Sequence, residues 1–290
     1  MPLVVGGLGF ESRWFSKFYH HLIGDTREGQ FASIIISAGK GDNRPLAMDM
    51  LMERLIEGSP RKVFFNESHD EAGNSENNGR RSMRTIAAAV NGIEHLTDQT
   101  RPFAEARSRF ALAMTILSPS IPMFFMGEEI GASKIYRYYS LEEQLKEKKQ
   151  HEDGFLFNRE DFYKEYKGSG RDLFKFYQDI IKCRNHYSCL KYGSIKYIHV
   201  HNDNRMVIFL RSYNNEECLI VGCLNNFHFS LGYTIESSNI PSGGWREVFN
   251  SNSTFYCGDK VGNGGKIIFS NAGSFNCIIP KNSVSIFVKI

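Results

Sequence analysis

The sequence has little that would mark a membrane, secreted or nucleic-acid-binding protein. Its longest apolar stretch, residues 110–126, is broken by two serines and two prolines, short of the roughly 20 apolar residues that a membrane span needs. Its first ten residues have no basic region ahead of their short apolar run, unlike a signal peptide. The formal net charge is only +3, which leaves no large field for attracting phosphates. We therefore expect a cytoplasmic protein with a neutral or weakly charged ligand, and neither nucleic acid nor membrane as partner.

Cysteine is absent from the first half of the chain. The six cysteines are Cys183, Cys189, Cys218, Cys223, Cys257 and Cys277. No two of them have the C-x-x-C spacing that is typical of zinc and redox sites. Reduced thiols in the core are the simplest interpretation for a cytoplasmic protein, with disulfides as the alternative. The sequence predicts no metal and no cofactor.

Length and composition indicate an ordinary globular protein with room for two domains. The chain has 290 residues, and single cores stop growing at roughly 250 to 300 residues. Apolar residues make up 41% and charged residues 23%, as in most soluble domains. We therefore expect a folded chain with either one large domain or, preferably, two smaller ones.

The first two-thirds of the chain alternates short apolar runs with helical patterns. Residues 62–66 (KVFFN) and 121–126 (IPMFFM) are too short for helices and lack alternation, as strands buried on both faces would. Residues 48–55 place apolar side chains at the i, i+3, i+4 and i+7 spacing of a helix. The same spacing is found at residues 83–93, 110–117 and 173–180. Strands flanked by helices predict β/α units around a parallel sheet.

Two later parts of the chain have a different character. Residues 130–170 are polar and charged, and we expect a solvated segment with a helix over Glu142–Lys149. Beyond residue 191 the pattern changes to β-like runs at residues 195–200, 206–211, 218–224, 266–270, 275–280 and 284–289. In the last run Val284, Ile286 and Val288 alternate with polar or exposed positions. This pattern predicts an all-β sandwich over residues 191–290, after an α/β domain over residues 1–190.

Carboxylates follow both predicted buried strands. The polar residues that come after them are Glu67, His69, Asp70 and Glu71 for the first strand, and Glu128 and Glu129 for the second. In β/α barrels the active site is built at the carboxyl ends of the strands, so these acids would face one mouth. The alternative is that acids simply begin exposed loops, which is the preferred interpretation for Glu71, Glu76 and Glu129.

Two long motifs resemble the α-amylase family. Residues 64–74 (FFNESHDEAGN) resemble the motif in which a strand ends in His-Asp, and the match extends through residues 84–85 to residues 122–129 (PMFFMGEE), which resemble that family's eighth barrel strand. Residues 6–10 (GGLGF) followed by Trp14 resemble the glucan-branching subgroup, where this stretch leads into the sixth strand. The β-rich tail is similar to the family's C-terminal all-β domain. The resemblance implies the C-terminal part of a TIM (β/α)8 barrel, about strands 6 to 8, followed by an all-β sandwich.

The resemblance also implies an activity and site residues. Family members hydrolyse or transfer α-1,4-glucosidic bonds with retention, through a covalent glycosyl-enzyme. Asp70 matches the aspartate that stabilises the transition state, and His69 matches the neighbour that donates a hydrogen bond to the bound glucosyl unit; a buried structural histidine is the alternative for His69. Trp14 is a candidate stacking platform for a sugar ring, or else a core tryptophan. Glu128 matches a position with an architectural rather than a catalytic role.

One departure from the family pattern limits this expectation. The family's nucleophile, an aspartate after the fourth strand, and its general acid, a glutamate after the fifth, have no counterpart in the sequence. Retaining chemistry needs two carboxyl groups about 5 to 5.5 Å apart, and Asp70 alone cannot supply the pair. We therefore expect a C-terminal fragment of the 1,4-α-glucan branching type that acts on glycogen, amylose or maltooligosaccharides. It would be inactive alone, with the missing N-terminal half of the barrel as a partner.

Three alternatives remain open at the level of sequence. The first is α-amylase-type hydrolysis instead of branching, because the loops that choose between water and a sugar hydroxyl as acceptor cannot be located. The second is a glucan-binding remnant without chemistry. The third is a metallohydrolase that uses His20, His21, His69 and Asp70. We rank the third low because the spacing matches no familiar ligand pattern, and because His20 and His21 lie in a helical run as surface or packing residues.

Overall fold

The structure is a computed structural model, and it describes residues 12–24, 33–72, 83–134, 162–168 and 170–290. The glycine-rich run at residues 6–10, Glu76 and the predicted Glu142–Lys149 helix lie outside these residues. Most of the polar stretch over residues 130–170 lies outside them as well.

A small parallel sheet with covering helices forms the first part of the molecule. Its strands are β1 (Arg13–Trp14), β2 (Lys62–Phe65) and β3 (Ile121–Met123). They pair in the order β1-β2-β3, and both pairings are parallel, as the β/α pattern predicted. The described helices are α1 (Ser16–Leu22), α2 (Ile34–Gly39), α3 (Met48–Ile56), α4 (Thr85–Ala88), α5 (Arg101–Leu117), α6 (Phe162–Lys167), α7 (Gly170–His186) and α8 (Ser188–Tyr192).

Three predicted helices are confirmed together with their apolar faces. Helix α3 buries Met48, Leu51, Met52 and Leu55, which are the side chains that the spacing indicated. Helix α5 contains the predicted 110–117 segment, and helix α7 buries Leu173, Phe176, Tyr177 and Ile180. None of the described helices combines the length and the apolar character needed to cross a membrane.

Strand β2 is buried because aromatic rings cover it on both faces. Phe64 is fully buried, and its ring stacks on those of Phe15 and Phe18 at centroid distances of 5.4 and 4.1 Å. Phe65 stacks on Tyr19 at 5.4 Å. These contacts explain the continuous apolar run, since neither face of this strand meets water.

Two predicted elements are shorter than the sequence indicated. The helix predicted over residues 83–93 is reduced to α4, because Asn91 and Gly92 adopt φ angles of 62° and 140°, which a right-handed helix does not allow. The strand predicted over residues 121–126 ends at Met123. The prediction that this segment is buried on both faces was also wrong, because Phe124 is 40% and Met126 is 45% exposed. Among the described strands β3 pairs only with β2, so it is an edge of this sheet.

The second part of the molecule consists of two antiparallel sheets around an apolar cluster. Its strands are β4 (Ser194–His201), β5 (Met206–Tyr213), β6 (Glu216–Cys223), β7 (Phe229–Glu236), β8 (Gly243–Asn250), β9 (Ile267–Ser270), β10 (Ser274–Ile279) and β11 (Ser283–Lys289). Six of them pair in the order β4-β5-β6-β11-β8-β9, and β10 pairs with β7. Trp245, Phe275 and Phe287 lie in the cluster that both sheets share. The all-β character predicted for the tail is confirmed.

Strand β11 differs from its prediction, and two strands were not predicted. β11 lies between β6 and β8, and all side chains from Ser283 to Phe287 are buried, so the predicted alternation with exposed positions is wrong. Strands β7 and β8 were missed because glycine, threonine and charged residues interrupt their apolar positions. Both faces of β11 are packed, because Val284 and Ile286 belong to one apolar cluster and Phe287 to another, and an alternating pattern does not predict this.

The two parts of the molecule share one apolar core. The cluster that contains Phe64 and Phe110 also contains Val207, Ile220 and Val284 from the antiparallel sheet. Arg211 of β5 is buried and donates hydrogen bonds to the carbonyl oxygens of Leu117 and Gly193. The division into residues 1–190 and 191–290 stays a prediction, and the shared core makes folding of the two parts interdependent.

The cysteines are free thiols in the structure. Cys189, Cys218, Cys223 and Cys277 are buried, and Cys183 is half-buried. Cys257 is exposed and donates to a carboxylate oxygen of Asp172 at 2.8 Å. Their distribution agrees with the interpretation of most cysteines as small core side chains.

Replacement of Phe64 by alanine should lower the free energy of unfolding by about 3 to 5 kcal/mol, because it removes a buried ring that stacks on two others. Urea unfolding followed by circular dichroism measures this loss. Phe269→Ala is the matched control, since that ring is 73% exposed and its removal should change stability by about 0.5 kcal/mol or less. Equal losses for the two variants would contradict the burial described for β2.

Candidate active site

The candidate site lies where strand β2 ends. Asn66, Glu67 and Ser68 follow the strand and are buried, whereas His69 and Asp70 emerge into solvent. Among these five consecutive residues, three polar side chains are therefore buried and two lie on the surface. Because the sheet is parallel, the carboxyl ends of β1 and β3 lie at the same edge.

His69 and Asp70 form an exposed pair at this edge. His69 Nε2 lies 3.4 Å from Asp70 Oδ1, and the two side chains are 55% and 72% exposed. The alternative of a buried structural histidine therefore does not hold for His69. A local turn holds the pair: the backbone N–H of Glu71 donates to Ser68 Oγ at 3.3 Å, and that of Ala72 donates to the Ser68 carbonyl at 2.9 Å.

Trp14 lies at the carboxyl end of the neighbouring strand β1 and is half-buried. Its ring packs edge-on against that of Phe65, with centroids 5.0 Å apart and planes at 86°. The core contact that was the alternative interpretation of Trp14 is therefore present. Its use as a platform for a sugar ring stays a prediction.

Beneath the exposed pair, Glu67 and Arg84 form a buried ion pair. Arg84 Nε lies 2.8 Å from Glu67 Oε2, and both side chains are only 2% exposed. The backbone N–H of Thr85 donates to Glu67 Oε1 at 2.6 Å, and Arg84 Nη2 donates to the carbonyl of Met126 at 2.9 Å. These bonds tie the end of β2 to the start of α4 and to the segment after β3.

Glu128 forms the second half of the same network. Its Oε1 accepts hydrogen bonds from Asn66 Nδ2 and from the Tyr177 hydroxyl, each at 2.9 Å, and its Oε2 accepts from the backbone N–H of Phe125 at 3.3 Å. Asn66 in turn accepts from Thr115 Oγ1 at 2.7 Å. Glu128 thus connects the ends of β2 and β3 with helices α5 and α7, in line with the architectural role that the resemblance implies.

Electrostatics distinguishes the two buried acids. Burial, together with the charge of Glu67, raises the pKa of Glu128 to about 8. Burial also raises the pKa of Glu67, and the neighbouring Arg84 guanidinium opposes that rise. One buried cation balances one buried carboxylate, so the favourable state at neutral pH has Glu67 ionised beside Arg84 and Glu128 protonated.

The arrangement separates structural acids from an acid that a ligand can reach. Glu67 and Glu128 are enclosed by protein. Asp70 is exposed on the turn that follows Glu67 in the chain. An exposed carboxylate can stabilise a positive centre that develops beside it, and an imidazole can donate to a hydroxyl group. The roles assigned to Asp70 and His69 stay predictions.

The structure does not assemble the proposed metal ligands. Among the described residues there is no group of three or more His, Cys, Asp or Glu side chains that could hold a metal ion. His21 lies on α1, where its Nδ1 contacts the Lys17 carbonyl at 2.9 Å. The metallohydrolase alternative therefore receives no geometric support.

Several members of the buried network were not predicted as functional residues. Arg84 is 17 residues from Glu67, and Tyr177 is 49 residues from Glu128, so no local motif joins them. The sequence nevertheless contained an indication of this network, because the polar residues Asn66 and Glu67 directly follow a strand that was predicted to be buried. Buried polar groups require partners, so such a pair predicts distant residues that satisfy it.

The raised pKa of Glu128 makes stability depend on pH. A carboxyl group whose pKa is higher in the folded state stabilises the fold below the unfolded value, near 4.5, and this contribution is lost as pH rises through about 8. Between pH 6 and pH 8, Glu128→Gln should therefore gain on the order of 2 kcal/mol in unfolding free energy relative to the original chain. Urea unfolding at the two pH values tests this, with Glu236→Gln on the exposed face of β7 as control. Parallel pH profiles for all three chains would contradict it.

Comparisons with known proteins give the fold a family context. Residues 197–289 match the model of the alpha amylase C-terminal all-beta domain. A 1,4-alpha-glucan branching enzyme GlgB of Rhodopseudomonas palustris is 24% identical over 273 residues, which are 92% of this chain and 32% of that protein. The chain thus spans about a third of the length of the curated relative that it matches.

Solved structures with a similar fold include two types of enzyme. An alpha-amylase from H. orenii superposes with a TM-score of 0.59 and 16% identity, over 99% of this chain and 52% of that one. A pullulanase from Bacillus acidopullulyticus superposes with a TM-score of 0.61 and 16% identity, over 96% and 30%. A pullulanase complexed with maltotetraose, from Anoxybacillus sp. LM18-11, gives a TM-score of 0.58 and 12% identity, over 96% and 35%. The resemblance to the α-amylase family that the sequence motifs indicated is therefore confirmed, and residues 197–289 are similar to that family's C-terminal all-beta domain.

Proposed function

We propose that this chain works as the C-terminal part of an enzyme that acts on α-1,4-glucans, of the 1,4-α-glucan branching type. The observation that carries the proposal is the exposed His69–Asp70 pair at the carboxyl edge of a parallel sheet, with a buried Glu67–Arg84 ion pair beneath it. The similarity to a branching enzyme over nearly the whole chain supports the same assignment.

In this proposal β1, β2 and β3 are strands 6 to 8 of a (β/α)8 barrel. Their parallel pairing in chain order agrees with that assignment, and so does the all-β part that follows them. The active site of such a barrel lies at the carboxyl ends of its strands, where His69 and Asp70 are placed. Both would then face a mouth whose remaining walls come from further strands.

Asp70 would stabilise the oxocarbenium-like transition state, and His69 would donate a hydrogen bond to the glucosyl unit. A retaining reaction also needs a nucleophile and a general acid about 5 to 5.5 Å apart. Glu67 and Glu128 are too enclosed for either role, because protein groups already bind their carboxylate oxygens. We therefore propose that the 290 residues alone do not turn over glucan and that other strands supply the two acids.

An amylose assay tests the activity directly. The 290-residue chain should produce neither new reducing ends nor a fall in iodine absorbance, and the same chain extended upstream through its genomic reading frame should lower iodine absorbance without new reducing ends. New reducing ends from the extended chain would instead indicate hydrolysis. Turnover by the 290-residue chain itself would overturn the need for additional acids.

Asp70→Asn in the extended chain should lower kcat by about 10² to 10³, the size expected when one group that stabilises transition-state charge is removed. Asp203→Asn is a matched control, because Asp203 is also exposed and lies 3.9 Å from a histidine, His201, but on the β4–β5 turn. An equal effect of the two substitutions, or no effect of the first, would contradict the role of Asp70. If the chain bound maltotetraose without any turnover in extended form, a glucan-binding remnant would be the better description.

A further inference from the structure

A pocket lies apart from the candidate active site, between the helices of the first part and a loop of the antiparallel part. Its volume is about 500 Å³, a size that suits a small organic molecule. Its walls come from the end of α2, the segment after α4, the start of α5 and the loop between β6 and β7. The lining residues used below are Lys40, Asn91, His95, Thr100, Phe103 and Arg107.

Arg107 is a buried cation without an acidic partner among the described residues. It is 4% exposed, and its acceptors are neutral: the Ala89 carbonyl at 2.8 Å, Asn226 Oδ1 at 3.1 Å and Asn282 Oδ1 at 3.4 Å. Burial, together with the charge of the nearby Arg205, lowers the pKa of Arg107 to about 10. A buried charge without an opposite charge is costly, so this site favours the arrival of an anion.

The guanidinium retains donors for such an anion. An arginine has five N–H groups, and the hydrogen bonds above use three of them, one on each nitrogen. One N–H on Nη1 and one on Nη2 are left over within the described part of the chain. Donors on two nitrogens of one guanidinium can bind a phosphate or carboxylate group through two oxygens.

The other walls add positive charge and an aromatic surface. Lys40 is exposed at the rim and supplies the positive charge, and the exposed His95 lies on the same wall, with its Nδ1 3.4 Å from the Asn91 carbonyl oxygen. The Phe103 ring is 44% exposed, with the Arg107 guanidinium 5.9 Å from its centre. Thr100 adds a hydroxyl group to the same wall.

We propose that this pocket binds a phosphorylated sugar of monosaccharide size. The phosphate would lie against Arg107 and Lys40, and the sugar ring would pack on Phe103. We infer an anionic group from Arg107, which has no acidic partner among the described residues. We infer a sugar from the partly exposed Phe103 ring, which lies beside the Asn91 amide and the Thr100 hydroxyl group. The pocket is formed by both parts of the chain, so its ligand would stabilise their contact. This inference does not depend on the proposed action on glucans.

Calorimetric titration of the 290-residue chain at low ionic strength tests the proposal with three probes: glucose 6-phosphate, inorganic phosphate and glucose. Glucose 6-phosphate should bind most tightly, inorganic phosphate more weakly, and glucose without measurable heat. Affinity for both phosphates should fall as salt is added, because salt screens the attraction to the rim charges. Binding of glucose as tight as that of glucose 6-phosphate would overturn the anion site, and so would no binding of any probe.

Variants on the rim locate the binding without disturbing the fold. Lys40→Gln should weaken both phosphates by about fivefold or more, whereas Phe103→Ala should weaken glucose 6-phosphate and leave inorganic phosphate nearly unchanged. Lys196→Gln and Phe269→Ala are matched controls at exposed positions elsewhere. Affinities of Lys40→Gln and Phe103→Ala equal to those of the controls would overturn the pocket as the site.

Arg107 itself is tested by a pair of substitutions. Arg107→Gln should abolish binding of inorganic phosphate, and Arg107→Lys should restore part of it, because lysine keeps the charge but has donors on only one nitrogen. Each variant is first compared with the original chain by circular dichroism and thermal unfolding. A folded Arg107→Gln chain that binds phosphate with unchanged affinity would overturn the proposal, and if neither variant folds, the rim variants decide.

Discussion

The structure depends on hydrogen bonds and charge balance for two carboxyl groups that are buried where strands β2 and β3 end. Glu67 is balanced by Arg84, and Glu128 is accommodated by hydrogen bonds from Asn66 and Tyr177 together with a raised pKa. A carboxylate without these partners would be too costly to bury, so the helices that supply them must pack at this edge. The exposed His69–Asp70 turn is built on that network, which fixes its position relative to the sheet.

A shared apolar core imposes a second constraint. Helix α5 lies between the parallel sheet and the antiparallel sheet, and its buried side chains belong to the same cluster as Val284 and Ile286 of β11. Arg211 and Arg107 add polar links across the same boundary, to the Leu117 carbonyl and to Asn226 and Asn282. The all-β part therefore contributes to the stability of the segment that carries the candidate site, and both proposed binding regions rely on it.

Much of this architecture was predictable, and the errors have physical causes. The 48–55 and 173–180 helices follow from spacing because each has one buried face. The strand at residues 121–126 was predicted too long, since an apolar run does not reveal that β3 has one paired neighbour among the described strands. The helix at residues 83–93 stopped early because Asn91 and Gly92 turn the backbone out of the helical region. Strands β7 and β8 have weak patterns, and pairing with distant strands creates them.

The parallel and all-β parts, the family resemblance, and Asp70 and His69 as candidate site residues could be predicted from the amino-acid sequence, because each rests on a local pattern or on a contiguous motif. The folded structure was needed to see that Glu67 and Glu128 are enclosed while Asp70 is exposed, and that Trp14 packs on Phe65. It also showed that Arg107 lines a pocket with no acidic partner among the described residues. The burial and the charge partners of a side chain come from residues that are far apart in the chain. Only folding brings these residues into contact.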